Sequence, residues 1–193
     1  MDEGSLLARH VLLIGLRASG KTTLAQLLAE ELGTPWVDLD ERTLALLGCA
    51  TVQQAWEEQG EGAFREAEAQ ALAEALSAGT PTVVAAGGGT PTAPGAAERI
   101  CESQQRGRVM VLYLRCSPAT LRERLQLLGG GGANRPSLTG ASTVEEVDAV
   151  FQARDALYQQ LADRIVDCDS VAPTVEAHRA LAAALARELV EQR

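Results

Sequence analysis

Aromatic residues make up only 3% of the 193-residue chain, which excludes a core built mainly on large rings. Alanine and leucine must carry the packing instead, and both favour helices over an all-β design. Long apolar runs are missing as well. None approaches the ~20 consecutive apolar residues that a membrane-spanning helix needs. The start, Met1-Asp2-Glu3-Gly4-Ser5, is acidic and does not read as a basic, then apolar, leader. No membrane partner is expected, and the expected location is cytoplasmic. Cysteine is scattered: Cys49, Cys101, Cys116 and Cys168 form no C-x-x-C pair and have no histidine at metal-ligand spacing. A structural zinc site is therefore not expected, and Cys49 and Cys116 read as packing residues in a reduced protein. His10 and His178 are assigned no chemistry. Positive charge is also in deficit, with a formal net charge of −9. A nucleic-acid partner would call for a basic face, so none is expected; a local cationic pocket remains compatible.

Lysine is almost absent. Sixteen of the 17 basic residues are arginine and the remaining one is Lys21. A chain that otherwise uses guanidinium for positive charge has one compact ammonium, the group that suits a tight phosphate cradle.

What is present fits one domain, residues 1–193, with no internal repeat or long linker. Short apolar runs alternate with longer Ala/Leu/Glu-rich stretches, the pattern of an α/β fold with a parallel sheet. Strands are expected at Val11–Ile14, Pro35–Asp38, Thr82–Ala86, Val109–Leu114 and Arg164–Asp167. Helices are expected at Lys21–Leu32, Glu41–Leu47, Val52–Gln59, Ala63–Ser77, Pro94–Glu102, Pro118–Leu127, Val144–Ala162 and Pro173–Gln192. Two glycine runs break the alternation. Gly87-Gly88-Gly89 follows a strand directly, and Gly129–Gly132 interrupts a helical pattern ahead of Arg135-Pro136. Ordering such runs costs conformational entropy, so each marks a mobile segment or backbone that must approach something closely.

The sequence Gly15-Leu16-Arg17-Ala18-Ser19-Gly20-Lys21-Thr22 matches the phosphate-loop pattern G-x-x-x-x-G-K-[ST]. The apolar run Val11–Ile14 precedes it and a helical pattern follows, which is the context the motif requires. Backbone N–H groups and the helix N-terminus would surround the phosphates of ATP. Lys21 would bridge the β- and γ-phosphates, and the Thr22 hydroxyl would ligate Mg²⁺. Arg17, Ala18, Ser19, Gly20, Lys21, Thr22 and Thr23 are the candidate nucleotide contacts; Arg17 either adds a phosphate or adenine contact or faces solvent.

Asp38-Leu39-Asp40 ends the second apolar run, and carboxyl ends of strands face the ligand crevice in an open α/β sheet. One carboxylate can support Mg²⁺, the role assigned to Asp38. The other, Asp40, can take a proton from an attacking hydroxyl, or else cap the following helix. Arg65 and Glu68 are three apart and share a helix face. They form either an anion-binding guanidinium fixed by a carboxylate or an ordinary surface salt bridge.

Taken in order, the phosphate loop, Asp38-x-Asp40, Gly60-Glu61-x-x-Phe64-Arg65-x-x-Glu68, Gly87-Gly88-Gly89, Arg135-Pro136, Arg154-x-x-x-Tyr158 and Val166-Asp167 resemble the shikimate kinases over nearly the whole chain. The resemblance implies a three-layer α/β/α P-loop kinase fold with a central five-stranded parallel sheet, helices on both faces and a lid over about 128–143. Helices over about 39–70 would bind the acceptor. It also implies transfer of the γ-phosphoryl of ATP to the 3-hydroxyl of shikimate, with Mg²⁺, in a monomer. Asp40, Arg65, Gly87, Gly88, Gly89 and Arg154 would hold shikimate, whose carboxylate suits two arginines and whose hydroxyls suit a carboxylate and close backbone. Without the resemblance, Arg154 reads as part of a solvated helix face. Lys21, Asp40 and Arg135 would be catalytic, Arg135 reaching the nucleotide phosphates from the lid. The loop Ser170–Pro173 would lie near the adenine. The competing reading is a related kinase for an acidic polyol such as gluconate. Three departures from the family pattern stand out: Ala18 where glycine is usual, Ser137 where leucine is usual, and the expanded run before Arg135.

Overall fold

The computed structural model describes residues 7–128, 144 and 146–191. Arg135, and the expected lid apart from Leu128, lie outside the described residues.

Five strands form one parallel sheet in the order β2-β3-β1-β4-β5. They are β1 (His10–Ile14), β2 (Trp36–Asp38), β3 (Val83–Ala85), β4 (Val109–Arg115) and β5 (Arg164–Asp167). The central strands read as continuous apolar runs because both faces are covered; Val11, Leu12, Leu13 and Ile14 are all fully buried. Helix α1 (Lys21–Leu32) follows β1 and buries Leu24, Leu28 and Leu32, one i, i+4 stripe. It stops at Gly33, whose left-handed φ of 59° forms the C-terminal cap.

The remaining helices are α2 (Leu39–Leu47), α3 (Val52–Ser77), α4 (Ala96–Gln105), α5 (Pro118–Leu127), α6 (Val147–Leu161) and α7 (Val175–Glu191). Helices α1 and α7 pack on each other, while α3 with α4 and α5 with α6 form a second set. The chain runs one way across the sheet from β1 to β2 and the other way from β2 to β5, so right-handed crossovers place α1 and α3–α6 on opposite faces, and α7 lies with α1. The two helices expected at 52–59 and 63–77 are both present, joined as α3 across a kink at Gly60, whose φ of 83° and ψ of 165° are not helical. The kink turns the first of them onto α2. There Cys49, Val52, Ala55 and Phe64 form a small satellite core apart from the main one.

Candidate active site

The turn between β1 and α1 forms a cup. A Cβ at Gly15 would stand 2.6 Å from the Leu114 carbonyl, and one at Gly20 (φ 94°) would stand 2.3 Å from His178 Nε2. Only glycine fits either position. Helix α1 starts without a side-chain cap and without an acidic residue in its first turn, so its first N–H groups keep their affinity for an anion. Ser19 Oγ is buried in the cup with no hydrogen-bond partner among the described residues. Lys21 is itself buried and donates from Nζ to the Leu16 carbonyl at 2.9 Å. An orphaned buried hydroxyl, an uncapped helix start and a buried ammonium all suit phosphate oxygens. Beside the cup, Thr22 Oγ1 donates to Asp38 Oδ2 at 2.7 Å. This hydroxyl–carboxylate pair offers the hard oxygen donors that suit Mg²⁺.

Arg124 braces the cup from α5. Its guanidinium donates to the Cys168 carbonyl at 2.7 Å, the Val171 carbonyl at 2.5 Å and, at longer range, the Ser19 carbonyl at 3.4 Å. The phosphate loop is thereby joined to the loop after β5, where Pro173 lies exposed.

Against the cup opens a cavity that Leu16 and Arg17 of the phosphate loop help to line. Its polar lining comes from Arg17, Asp40, Arg65, Glu68, Glu146 and Arg154, and its apolar lining includes Trp56, Phe64 and Val147. Arg65 Nη1 donates to Glu68 Oε2 at 2.5 Å, and its guanidinium sits 5.8 Å above the Trp56 ring and 5.9 Å from that of Phe64. The Glu68 side chain is 3% exposed. Its burial pushes the carboxyl above the usual carboxylate range, opposed in part by Arg65. Arg154 Nη1 and Tyr158 OH both donate to the Gly88 carbonyl, at 2.9 and 2.8 Å. In the glycine triplet, side chains at Gly87 and Gly89 would have to displace the charged groups beside them. A Cβ at Gly87 would stand 2.5 Å from Asp40 Oδ1, and one at Gly89 would stand 2.6 Å from Arg65 Nη1.

A model of the shikimate kinase family matches residues 17–192. The chain belongs to the shikimate kinase family. It is 39% identical over 177 residues to the shikimate kinase of Oleidesulfovibrio alaskensis, covering 91% of this chain and 98% of that one. It is 38% identical over 164 residues to shikimate kinase 2 of Yersinia pestis, covering 83% and 87%. Among solved structures, the shikimate kinase of Acinetobacter baumannii in complex with shikimate superposes with a TM-score of 0.79. That structure is 26% identical and covers 96% of this chain and 94% of its own.

For this shikimate kinase family member, the structure gathers Asp40, Arg65, Gly88 and Arg154 around one cavity and sets Gly87 and Gly89 directly against it. Two alternatives open in the sequence are resolved. The helix cap is Asp38, whose Oδ1 accepts the Asp40 N–H at 2.8 Å, so Asp40 is not the cap. The Arg65–Glu68 pair is not a surface bridge, because Glu68 is buried. Arg17 lines the same cavity as Asp40 and Gly88. Sequence reasoning left two side chains, Tyr158 and Arg124, without a place in the site. Tyr158 was visible as the last residue of the Arg154–Tyr158 motif. Arg124 carries no signal, since in Leu121-Arg122-Glu123-Arg124 it looks like one of several solvated charges. Its burial shows only in three dimensions.

Proposed function

We propose that this chain transfers the γ-phosphoryl group of ATP to the 3-hydroxyl of shikimate, giving shikimate 3-phosphate and ADP. The observation that supports it is a single cavity, walled by the phosphate loop, in which Asp40 faces two arginines across close-packed glycine backbone. A hydroxylated ring acid needs this combination: guanidinium groups for its carboxylate and a carboxylate for the hydroxyl that reacts.

In this reading Arg65 and Arg154 bind the acceptor carboxylate and so set which hydroxyl points at the nucleotide. Glu68 keeps the Arg65 fork in one orientation. Asp40 accepts a hydrogen bond from the attacking hydroxyl and takes its proton as the oxygen bonds to the γ-phosphorus. The bond to the β–γ bridging oxygen breaks, and its electrons leave with ADP. Lys21 and the N–H groups at the start of α1 stabilise the charge that develops on the transferring group and on ADP. Thr22 and Asp38 would hold Mg²⁺, which supplies charge neutralisation to the phosphates when bound. Arg135 would add a further positive charge to the phosphates, and residues 39–70 and 128–143 would serve as acceptor-binding helices and lid. The chain would act as a monomer in the cytoplasm. Among the described residues no helix is long and apolar enough to cross a membrane.

A coupled ADP-release assay with shikimate and gluconate side by side tests the proposal. Shikimate-dependent turnover well above that with gluconate is expected. Absence of shikimate-dependent ADP release, or faster turnover with gluconate, overturns it.

A further inference from the structure

Helix α6 carries a carboxylate that faces the sheet and does not line the acceptor cavity. Asp155 Oδ1 accepts from Tyr113 OH at 2.8 Å and from Arg115 Nε at 2.8 Å. Its Oδ2 accepts from Arg115 Nη2 at 3.0 Å and from Gln159 Nε2 at 2.7 Å. Four donors therefore converge on a side chain that is 14% exposed. The paired guanidinium holds the carboxyl below the usual range.

The partners of Asp155 lead back to the acceptor site. Tyr113 belongs to β4 and meets the Tyr158 ring edge-on, with centroids 5.6 Å apart at 84°. Tyr158 is fully buried, and its hydroxyl shares the Gly88 carbonyl with Arg154. Both lone pairs of that carbonyl are thus taken, by side chains directly before and one turn after Asp155. In a trans peptide, C=O and the following N–H point to opposite sides. Holding the Gly88 oxygen on α6 turns the Gly89 N–H away from α6, where it has no backbone partner among the described residues.

We propose that Asp155 is a positioning residue for the acceptor half of the site, locking α6 onto β4 so that Arg154, Tyr158 and the Gly88 peptide stay in register with Arg65. It rests on the reading of this cavity as the acceptor site. The competing account is an ion pair that adds only stability. The two differ in what they do to the substrates. A loosened α6 displaces groups that touch the acceptor and leaves the phosphate cup on β1 and α1 alone. A small displacement of binding groups is enough to cost roughly an order of magnitude.

The test is steady-state kinetics of Asp155→Asn and Tyr158→Phe, with thermal unfolding of each. Asp155→Asn should raise KM for shikimate about 5- to 20-fold while KM for ATP changes less than about two-fold. Tyr158→Phe keeps the buried ring and removes only the donor to Gly88, and should shift the same constant in the same direction. If Asp155→Asn is insoluble, Tyr158→Phe decides alone. An unchanged acceptor KM overturns the proposal, as does an equal rise in both KM values accompanied by a lowered Tm. Wild-type turnover separates this from the functional reading: if another hydroxy acid is the acceptor, the same split is read with that compound.

Discussion

Thr22 Oγ1 donates to Asp38 Oδ2 at 2.7 Å, tying the first turn of α1 to the end of β2. The same carboxylate caps α2 through Oδ1, which accepts the Asp40 N–H at 2.8 Å. One side chain thus places both the proposed cation-binding hydroxyl and the proposed base. Asp38→Ala should weaken the apparent Mg²⁺ requirement constant by about 10- to 100-fold, the usual effect of losing an outer-sphere carboxylate. It should also destabilise α2 by about 1 kcal/mol through the lost cap. A Mg²⁺ titration of activity beside a denaturation curve reads both; unchanged Mg²⁺ dependence would remove Asp38 from the cation site.

Gly20 is constrained twice, by its φ of 94° and by His178 Nε2, which would lie 2.3 Å from a Cβ there. His178 Nδ1 is held on the Thr174 carbonyl at 2.8 Å, so the ring cannot simply swing aside. Gly20→Ala should therefore destabilise the fold by more than about 2 kcal/mol and abolish ATP binding. Adding His178→Ala removes the steric part and leaves the backbone part. Partial recovery of stability in the double variant is expected, measured by denaturant unfolding of all four proteins. No recovery would mean that backbone conformation alone dictates the glycine.

The sheet and most helices were legible because their signals are local. Lys21–Leu32 and Pro118–Leu127 carry both a periodic apolar face and an end signal, Gly33 in one and Ser117-Pro118 in the other. The break at Gly60 was legible as well, because glycine readily takes the positive φ that interrupts a helix. The cup and the residues Asp40, Arg65 and Arg154 were legible as motifs. That Glu68 is buried, and that Arg124 lies under the cup, depends on α3 and α5 packing against distant strands. No spacing along the chain encodes that.

Ala18 adopts φ 66°, the one non-glycine residue with positive φ among the described residues. An alanine there carries a backbone penalty of roughly 1–2 kcal/mol. Glycine would remove it but loses roughly 0.4–1 kcal/mol through a more flexible unfolded chain. The first effect is the larger, so Ala18→Gly should stabilise the protein by a few tenths to about 1 kcal/mol, or about 1–3 °C in Tm for a chain of this size. A lowered Tm would show that the loop relaxes its alanine by other means.

Glu68 gives a test in pH. Burial raises its folded-state pKa above the ordinary value of 4.5, with Arg65 only partly opposing the shift. A carboxyl with a raised folded pKa binds its proton more tightly in the native state, so the favourable contribution is complete below the unfolded pKa. It is lost as pH rises through the folded pKa. Glutamine at this position stays neutral throughout. At acidic pH, where Glu68 is protonated in both states, wild type and Glu68→Gln should have closely similar stability. From about pH 4.5 upward the wild type should fall behind the variant, while its grip on Arg65, and hence on the acceptor, should strengthen. Unfolding of both proteins between about pH 4 and pH 7, with acceptor KM at the upper end, measures the trade. A stability difference that does not change with pH would mean that Arg65 fully offsets the burial, leaving the Glu68 carboxyl with the same proton affinity in the folded and unfolded states.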